Sequence, residues 1–477
     1  MVFFACREES DQQNTSGNPS CRNTPTLSTN DVSELTDSSV LLSGTIIPPT
    51  CDPTVTSQGF VWGTNTLPEV TDKRIVVSGQ DVTFKLTGLD FFKTYYYRTF
   101  FTNVEGTYYG NEVIFRTDTA PNPLFLDNNG ITVKAQPWAQ VGDSGIINGE
   151  VYKIVSEIDL RNMVANDNDV SKVCVSRVTD MSYLFDGKGN FNDDISSWDI
   201  SNATTVKGMF KDASSFNQPL EFWDFSSTNS LYGLFSGAIS FNQPIGNWDV
   251  SNIDTLVVLF QDATSFNQPL DNWDVSSVVS MNGLFVGATS FNQSIGNWDV
   301  SNVKSMRFLF AAASSFNQAL ENWNVSQVTD MTFIFSGATD FDQPIGNWDV
   351  GNVTDLVGAF ANNSFNQDIS NWNVSQVNNL ASIFSDNQRF NQDISSWNVS
   401  NVTDMSFCFG NAWSFNQDIS SWNVSNVTNM AFCFEEAWAF NQDLSSWNVS
   451  NVTNCFNFSA NTVIWRLPKP NFTSCNP

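Results

Sequence analysis

The sequence predicts an α/β solenoid of about eleven coils preceded by an all-β sandwich, and three observations carry that prediction. Trp recurs from Trp198 to Trp447 in steps of 25 residues, with one deletion before Trp372. Phe keeps the same step from Phe191 to Phe440. A period near this length marks a stack of coils that cannot bury their apolar faces singly. Upstream, short β-rich runs alternate with turn residues, the spacing of a sandwich.

Residues 1–33 are expected to be a start and a flexible tether. Met1-Val2-Phe3-Phe4-Ala5-Cys6 has the character of the end of an apolar leader with a small residue before a cysteine. From Glu8 to about Asn30 the chain is mostly Ser, Thr, Asn, Asp and Gln, which cannot bury a core. The stretch at Cys6 resembles the lipobox of bacterial lipoproteins, which implies lipidation of Cys6 and makes Arg7 to Asp11 the acidic run behind it. The alternative is an ordinary buried Cys in a ragged terminus.

Residues 34–118 form the sandwich, with strands expected near 40–46, 59–63, 82–86, 94–103 and 112–115. Leu86 to Leu89, followed by Lys93 to Arg98 and Thr102 to Gly106, resembles the E–F corner and F strand of fibronectin type III-like modules. That resemblance implies a spacer whose Tyr residues are core. Residues 119–177 are expected to cap the solenoid, with a hairpin of 130–134 against 146–155 and a helix over 157–164.

Residues 178–454 are the repeats. One unit can be written Val-Thr-Asp-Met-Ser-x-Leu-Phe-x-x-Ala-x-x-Phe-Asn-Gln-Asp-Ile-Ser-x-Trp-Asn-Val-Ser-Asn. Val402, Met405, Phe409 and Ala412 fall on the stripe of a short amphipathic helix, with Ser400 and Asn401 as N-cap candidates. Phe415, Ile419, Trp422 and Val424 leave that spacing, which predicts a strand of about three residues around Ile419. Pro219, Pro244, Pro269 and Pro344 stand where a first strand residue tolerates proline. One short parallel strand and one short helix per coil give a right-handed, leucine-rich-repeat-like superhelix. The aromatic columns are core first, with carbohydrate stacking on the Trp column as the alternative. Residues 455–477 form a C-terminal cap, where Cys455 and Cys475 flank the last coil and are expected to form a disulfide. Cys408 and Cys433, one period apart, are expected to be buried small hydrophobes.

The repeat is unbroken from Phe390 to Ser406 and is similar to those of BspA-like leucine-rich-repeat surface proteins, also described as DUF285. The resemblance implies cell-surface exposure and a role in adhesion or recognition. It brings no catalytic residues with it.

Composition narrows the function further. Lys and Arg number 21 against 49 Asp and Glu, a net charge of −28, which excludes nucleic acid as a partner. Histidine is absent, which removes His-dependent triads and the commonest metal ligand. No apolar run of membrane-spanning length occurs, so membrane attachment is expected only through a lipid anchor. Without a phosphate loop, a metal-spaced Cys/His cluster or a Ser elbow, no catalytic residue, metal or cofactor is expected.

The candidate ligand-binding residues are acidic. If Ile419 points inward, Asp418 points out, and Asp368, Asp393, Asp418 and Asp443 form an outward column. Solvated carboxylates with slightly raised pKa are expected there, with a weak Ca²⁺-type oxygen site as the alternative. In the middle units Glu221, Asp271 and Glu321 alternate with Gly246, Gly296 and Gly346. Such a face suits an extracellular protein or glycan. The expected function is therefore a non-enzymatic adhesion or recognition protein at the cell surface, outer-membrane lipoprotein-like or secreted. An accessory polysaccharide-binding lipoprotein of a nutrient-uptake system is the alternative.

Overall fold

The structure, a computed structural model, describes residues 21–51, 53–117 and 121–477. The chain divides into two compact units, Met1–Asn122 and Pro123–Pro477. Cys6 lies outside the described residues.

Among its described residues the first unit holds eight strands: β1 Thr26–Thr29, β2 Ser39–Ile47, β3 Ser57–Gly63, β4 Lys73–Val76, β5 Asp81–Thr87, β6 Thr94–Asn103, β7 Gly106–Tyr109 and β8 Val113–Arg116. One sheet has the order β1-β2-β5; the other has β4-β3-β6-β7, with β8 also pairing β6. Every pairing is antiparallel. The strict alternation of buried and half-exposed residues along β2 turns Val40, Leu42 and Ile46 inward. They join Val82 and Leu86 of β5 and Phe60, Tyr95, Tyr97 and Phe115 of the facing sheet in one core. The Tyr95 hydroxyl accepts from the Asp90 amide at 2.9 Å, pinning the corner that leads into β6.

The expected tether runs too far. Residues 26–29 pair with β2, and the Tyr97 hydroxyl donates to the Asn30 carbonyl at 2.5 Å. Burial pushes the Tyr97 phenol up to about 12, which keeps it a donor. A Cys21–Cys51 disulfide ties the chain before β1 to the chain after β2. Polar composition hid this strand, because its inward residues are Leu27 and Thr29, the latter bonded to the Thr99 amide and to Asn111.

The second unit opens with two hairpins, and the expected pairing of 130–134 with 146–155 does not occur. Instead β9 Leu124–Leu126 pairs β10 Val133–Ala135, and β11 Ser144–Ile147 pairs β12 Glu150–Ile154. Helix α1, Glu157–Ala165, starts on a capping box between Ser156 and Asp159. Strand β13, Val173–Cys174, then pairs β12 in parallel.

From residue 178 onward successive units lie side by side. A chain of single parallel bridges joins Ser230, Thr255, Ser280, Ser305, Asp330, Asp355, Asn379, Asp404, Asn429 and Asn454. Neither the expected helix nor the expected strand forms. Residues 406–411 are consecutive turns, because Phe407 and Asn411 adopt φ of 54° and 56°. Alternate amides of Met405, Phe407, Phe409 and Asn411 therefore donate to Asn429, Ala431, Cys433 and Glu435 of the next unit. The amides between them, of Cys408, Gly410 and Ala412, close turns onto the carbonyls three residues back. Half the donors a helix would use internally thus bind the neighbour. The segment around Ile419 makes no ladder pairing, and its β-branched residues mark burial alone.

Phe and Trp columns fill the interior. Phe409 stacks on Phe415 within its unit at 4.1 Å between centroids, and on Phe384 and Phe434 of the flanking units at 5.8 and 5.3 Å. Trp397, Trp422 and Trp447 stack at 6.4 Å and are at most 4% exposed. Burial at this level removes the repeating Trp column from any sugar-stacking role. At the end of the stack Trp465 packs edge-on against Phe440 at 4.7 Å, and the Cys455–Cys475 disulfide ties the tail down. Cys408 and Cys433 are fully buried, and desolvation raises both thiols well above their usual range.

Candidate functional site

The polar residues of the repeat divide into those that bind the next unit and those left facing outward. Asn391 Oδ1 accepts from the Asn416 amide at 2.9 Å and from Gln417 Nε2 at 3.0 Å, and Asn416 does the same for Asn441 and Gln442. A second ladder runs from Asn401, Asn426 and Asn451, whose Nδ2 atoms donate to Ser375, Ser400 and Ser425 carbonyls at 2.7 Å. The Phe-Asn-Gln motif and the second Asn of Asn-Val-Ser-Asn are thus structural, a role their periodicity alone does not disclose.

The expected acidic residues are all exposed, yet they form two separate sets. Asp368, Asp393, Asp418 and Asp443 occupy one position in four successive units, ahead of a buried Ile or Leu. Each Oδ1 accepts from the amide of the Ser two residues on, at 2.9 to 3.0 Å. These bonds hold all four carboxyls below the usual range. The expected slight upward shift is corrected: amide and hydroxyl donors outweigh the repulsion that Asp393 and Asp443 exert on Asp418. Among the described residues no three His, Cys, Asp or Glu converge to hold a metal ion.

Glu221, Asp271 and Glu321 follow the buried Leu instead, and stand in every second unit. The glycines between them answer to packing. A Cβ on Gly246 would lie 2.6 Å from the Pro269 carbonyl oxygen, and one on Gly296 2.5 Å from that of Ala319. The main-chain carbonyls of Asp271 and Glu321 accept from Asn297 and Asn347 of the following units at 2.7 Å, leaving the carboxylates outward.

An exposed aromatic set escaped sequence reasoning. Phe407 and Phe432 stack at 4.5 Å, and Phe456 meets Phe432 edge-on at 5.3 Å. Trp413 and Trp438 stack at 4.4 Å with rings 7° apart. Their signal was a departure from the repeat: the same column holds Ser214, Ile239, Thr264, Thr289, Ser314, Thr339 and Gln388 in earlier units. At the other end, a cleft of about 470 Å³ lies between Val164 to Val170 and Phe185 to Asp193, spanned by a Lys188–Asp167 ion pair at 2.7 Å.

The profile of the family described as Mycoplasma protein of unknown function, DUF285, matches three overlapping stretches, residues 157–272, 254–364 and 354–464. The chain belongs to the DUF285 family. Those matches span the helix α1 and all the Trp-bearing units, so the turn-and-ladder geometry above is that of the DUF285 portion. No curated protein matches the chain. Three solved chains do, among them the sensor domain of the anti-sigma factor RsgI4 of Pseudobacteroides cellulosolvens. It is 17% identical, with 20% of this chain and 96% of that one covered, and its TM-score of 0.16 supports no fold argument for the DUF285 units. Among the described residues no helix is long and apolar enough to cross a membrane.

Proposed function

We propose that this DUF285 chain is a non-enzymatic recognition protein of the cell surface, in which a leucine-rich-repeat-like solenoid binds an extracellular protein or glycan. The observation that carries this reading is the repetition of exposed side chains on a bonded stack: Asp368, Asp393, Asp418 and Asp443 face outward one period apart. Weak contacts repeated along such a stack add into avidity without a deep pocket. The strand orders β1-β2-β5 and β4-β3-β6, with the Tyr95 corner, support a fibronectin type III-like spacer in the first unit. Attachment through a lipid on Cys6 completes the proposal.

The test is an array of matrix proteins and polysaccharides probed with the full chain. Binding that weakens stepwise as 25-residue units are deleted internally, and falls with rising salt, supports the reading. Turnover of any bound glycan overturns the non-enzymatic assignment, and an array without a ligand overturns the recognition role.

A further inference from the structure

Trp413 and Trp438 are not demanded by the fold. Seven earlier units place Ser, Thr, Ile or Gln in the same column and still close their turns, so the position accepts small polar residues. Nor are the two rings core, since Trp438 is 44% exposed despite lying on its neighbour. The indole N–H of Trp413, like that of Trp223 in the repeating column, is enclosed with no acceptor, whereas Trp397, Trp422 and Trp447 each donate to a carbonyl. An enclosed donor without a partner is a cost to folding. Two adjacent units thus carry a surface aromatic pair that the repeat does not require.

The pair's surroundings indicate what it takes. Two residues before each Trp stand Asn411 and Glu436, in a column continued by Asp386 and Asn461. Asn411 Nδ2 donates to Asp386 Oδ1 at 2.9 Å, and Asn461 Nδ2 to Glu436 Oε1 at 3.3 Å, which leaves further carboxylate and amide oxygens for hydroxyl donors. The exposed surface of the Trp438 ring beside oxygen acceptors matches a pyranose, which has an apolar C–H face and a rim of hydroxyls. Carboxylates at Asp386, Glu435 and Glu436, on a chain of net charge −28, oppose an anionic strand.

We propose that Trp438, backed by the Trp413 ring stacked on it, forms the floor of a subsite for an uncharged polysaccharide strand, with Asp386, Asn411 and Glu436 receiving its hydroxyls. This rests on the recognition reading above and assigns the ligand class and its place. It is distinct from the acidic column at Asp368 to Asp443.

The experiment is affinity electrophoresis of the full chain through gels containing laminarin, xyloglucan or galactomannan, with alginate as the anionic control. Retardation in at least one neutral gel and none in alginate is expected. Trp438→Ser, which installs a residue the fold already accepts in this column, should weaken that binding at least tenfold with an unchanged melting midpoint. Retardation by none of the neutral glycans, or equal retardation of parent and variant, overturns the subsite. Should Trp438→Ser melt early, Trp438→Tyr decides instead: binding weakened several-fold supports the site, and unchanged binding overturns it. A protein ligand from the array that ignores Trp438→Ser removes the subsite and leaves the recognition reading standing, whereas no ligand of either class removes both.

Discussion

The indole N–H of Trp422 donates to the main-chain carbonyl of Ile394, 28 residues earlier, at 3.0 Å. The bond crosses from one unit to the one before it, so Trp422 both fills its own unit and closes its neighbour. Trp422→Phe keeps a ring but removes one of the two donors to that carbonyl, which still accepts from the Trp397 amide at 3.1 Å, a cost of about 0.5–1.5 kcal/mol. Trp422→Ala also opens a cavity and should cost about 3–5 kcal/mol. Urea unfolding measures both, and hydrogen exchange should show loosening around 397–447 with residues 39–118 unchanged. A Phe variant as stable as the parent would show that the bond contributes nothing.

The Asn ladder makes a sharper chemical distinction. Asn416 serves the next unit through Oδ1, which accepts from Asn441 and Gln442. Asp supplies the same acceptor, and Asp342 already does so for the Asn366 amide at 2.8 Å. Asn416→Asp should therefore fall within about 1 kcal/mol of the parent, and Asn416→Ala should lose about 2 kcal/mol, by thermal or urea denaturation. Equal losses in the two variants would refute the acceptor role.

Acid should weaken the units that carry the Asp column. Asp368, Asp393 and Asp418 are held below the usual carboxylate value by their Ser donors. A folded pKa beneath the unfolded one contributes stability above about pH 4, and that contribution fades as pH falls through the folded value. Asp418→Asn keeps an acceptor for the Ser420 amide but no longer titrates. Its stability should fall less steeply below pH 4 than the parent's, and identical acid limbs would count against the Ser420 bond.

Disulfide mapping gives a direct check on both ends. Peptides linking Cys21 to Cys51 and Cys455 to Cys475 are expected without reduction, while Cys174, Cys408 and Cys433 resist alkylation until the chain unfolds. Cys475→Ser should destabilise the last units by roughly 3 kcal/mol for a loop of this length. Rapid labelling of Cys408 in the native protein would contradict the packed interior.

Lipidation of Cys6 predicts that Cys6→Ser moves the protein from the membrane fraction to the soluble one. Unchanged partition in that variant would remove the anchor from the proposed function.

The period of the repeat was legible because core packing is intolerant: every unit needs its Phe and Trp, so both recur visibly. The path of the chain between them was not. Val402, Met405, Phe409 and Ala412 match a helix because both a helix and a run of tight turns bring every third or fourth residue inward. Only the positive φ at Phe407 and Asn411 separates the two, and neither residue type announces it. The acidic residues were correctly placed outside, but their pKa direction depended on Ser amides that spacing does not reveal. Trp413 and Trp438 were visible as exceptions to the pattern, and exceptions are easily lost when the pattern is the object of attention.

The αL position that Phe407 occupies also orders the units. Where a bulky side chain holds it, the next unit often carries glycine: a Cβ on Gly208 would come 2.6 Å from the Tyr183 ring, and one on Gly358 would collide with the Phe333 ring. Phe308 stacks on Phe333 at 5.2 Å, and that run of rings ends on Gly358. Neighbouring units are therefore matched pieces rather than interchangeable copies. A ring in this column is followed either by a second ring that stacks on it, as Phe432 does on Phe407, or by a residue that leaves it room, as Gly358 does behind Phe333. Growth of the repeat can accordingly lengthen a run of rings, whereas a side chain placed at Gly208 or Gly358 would have to displace the ring before it.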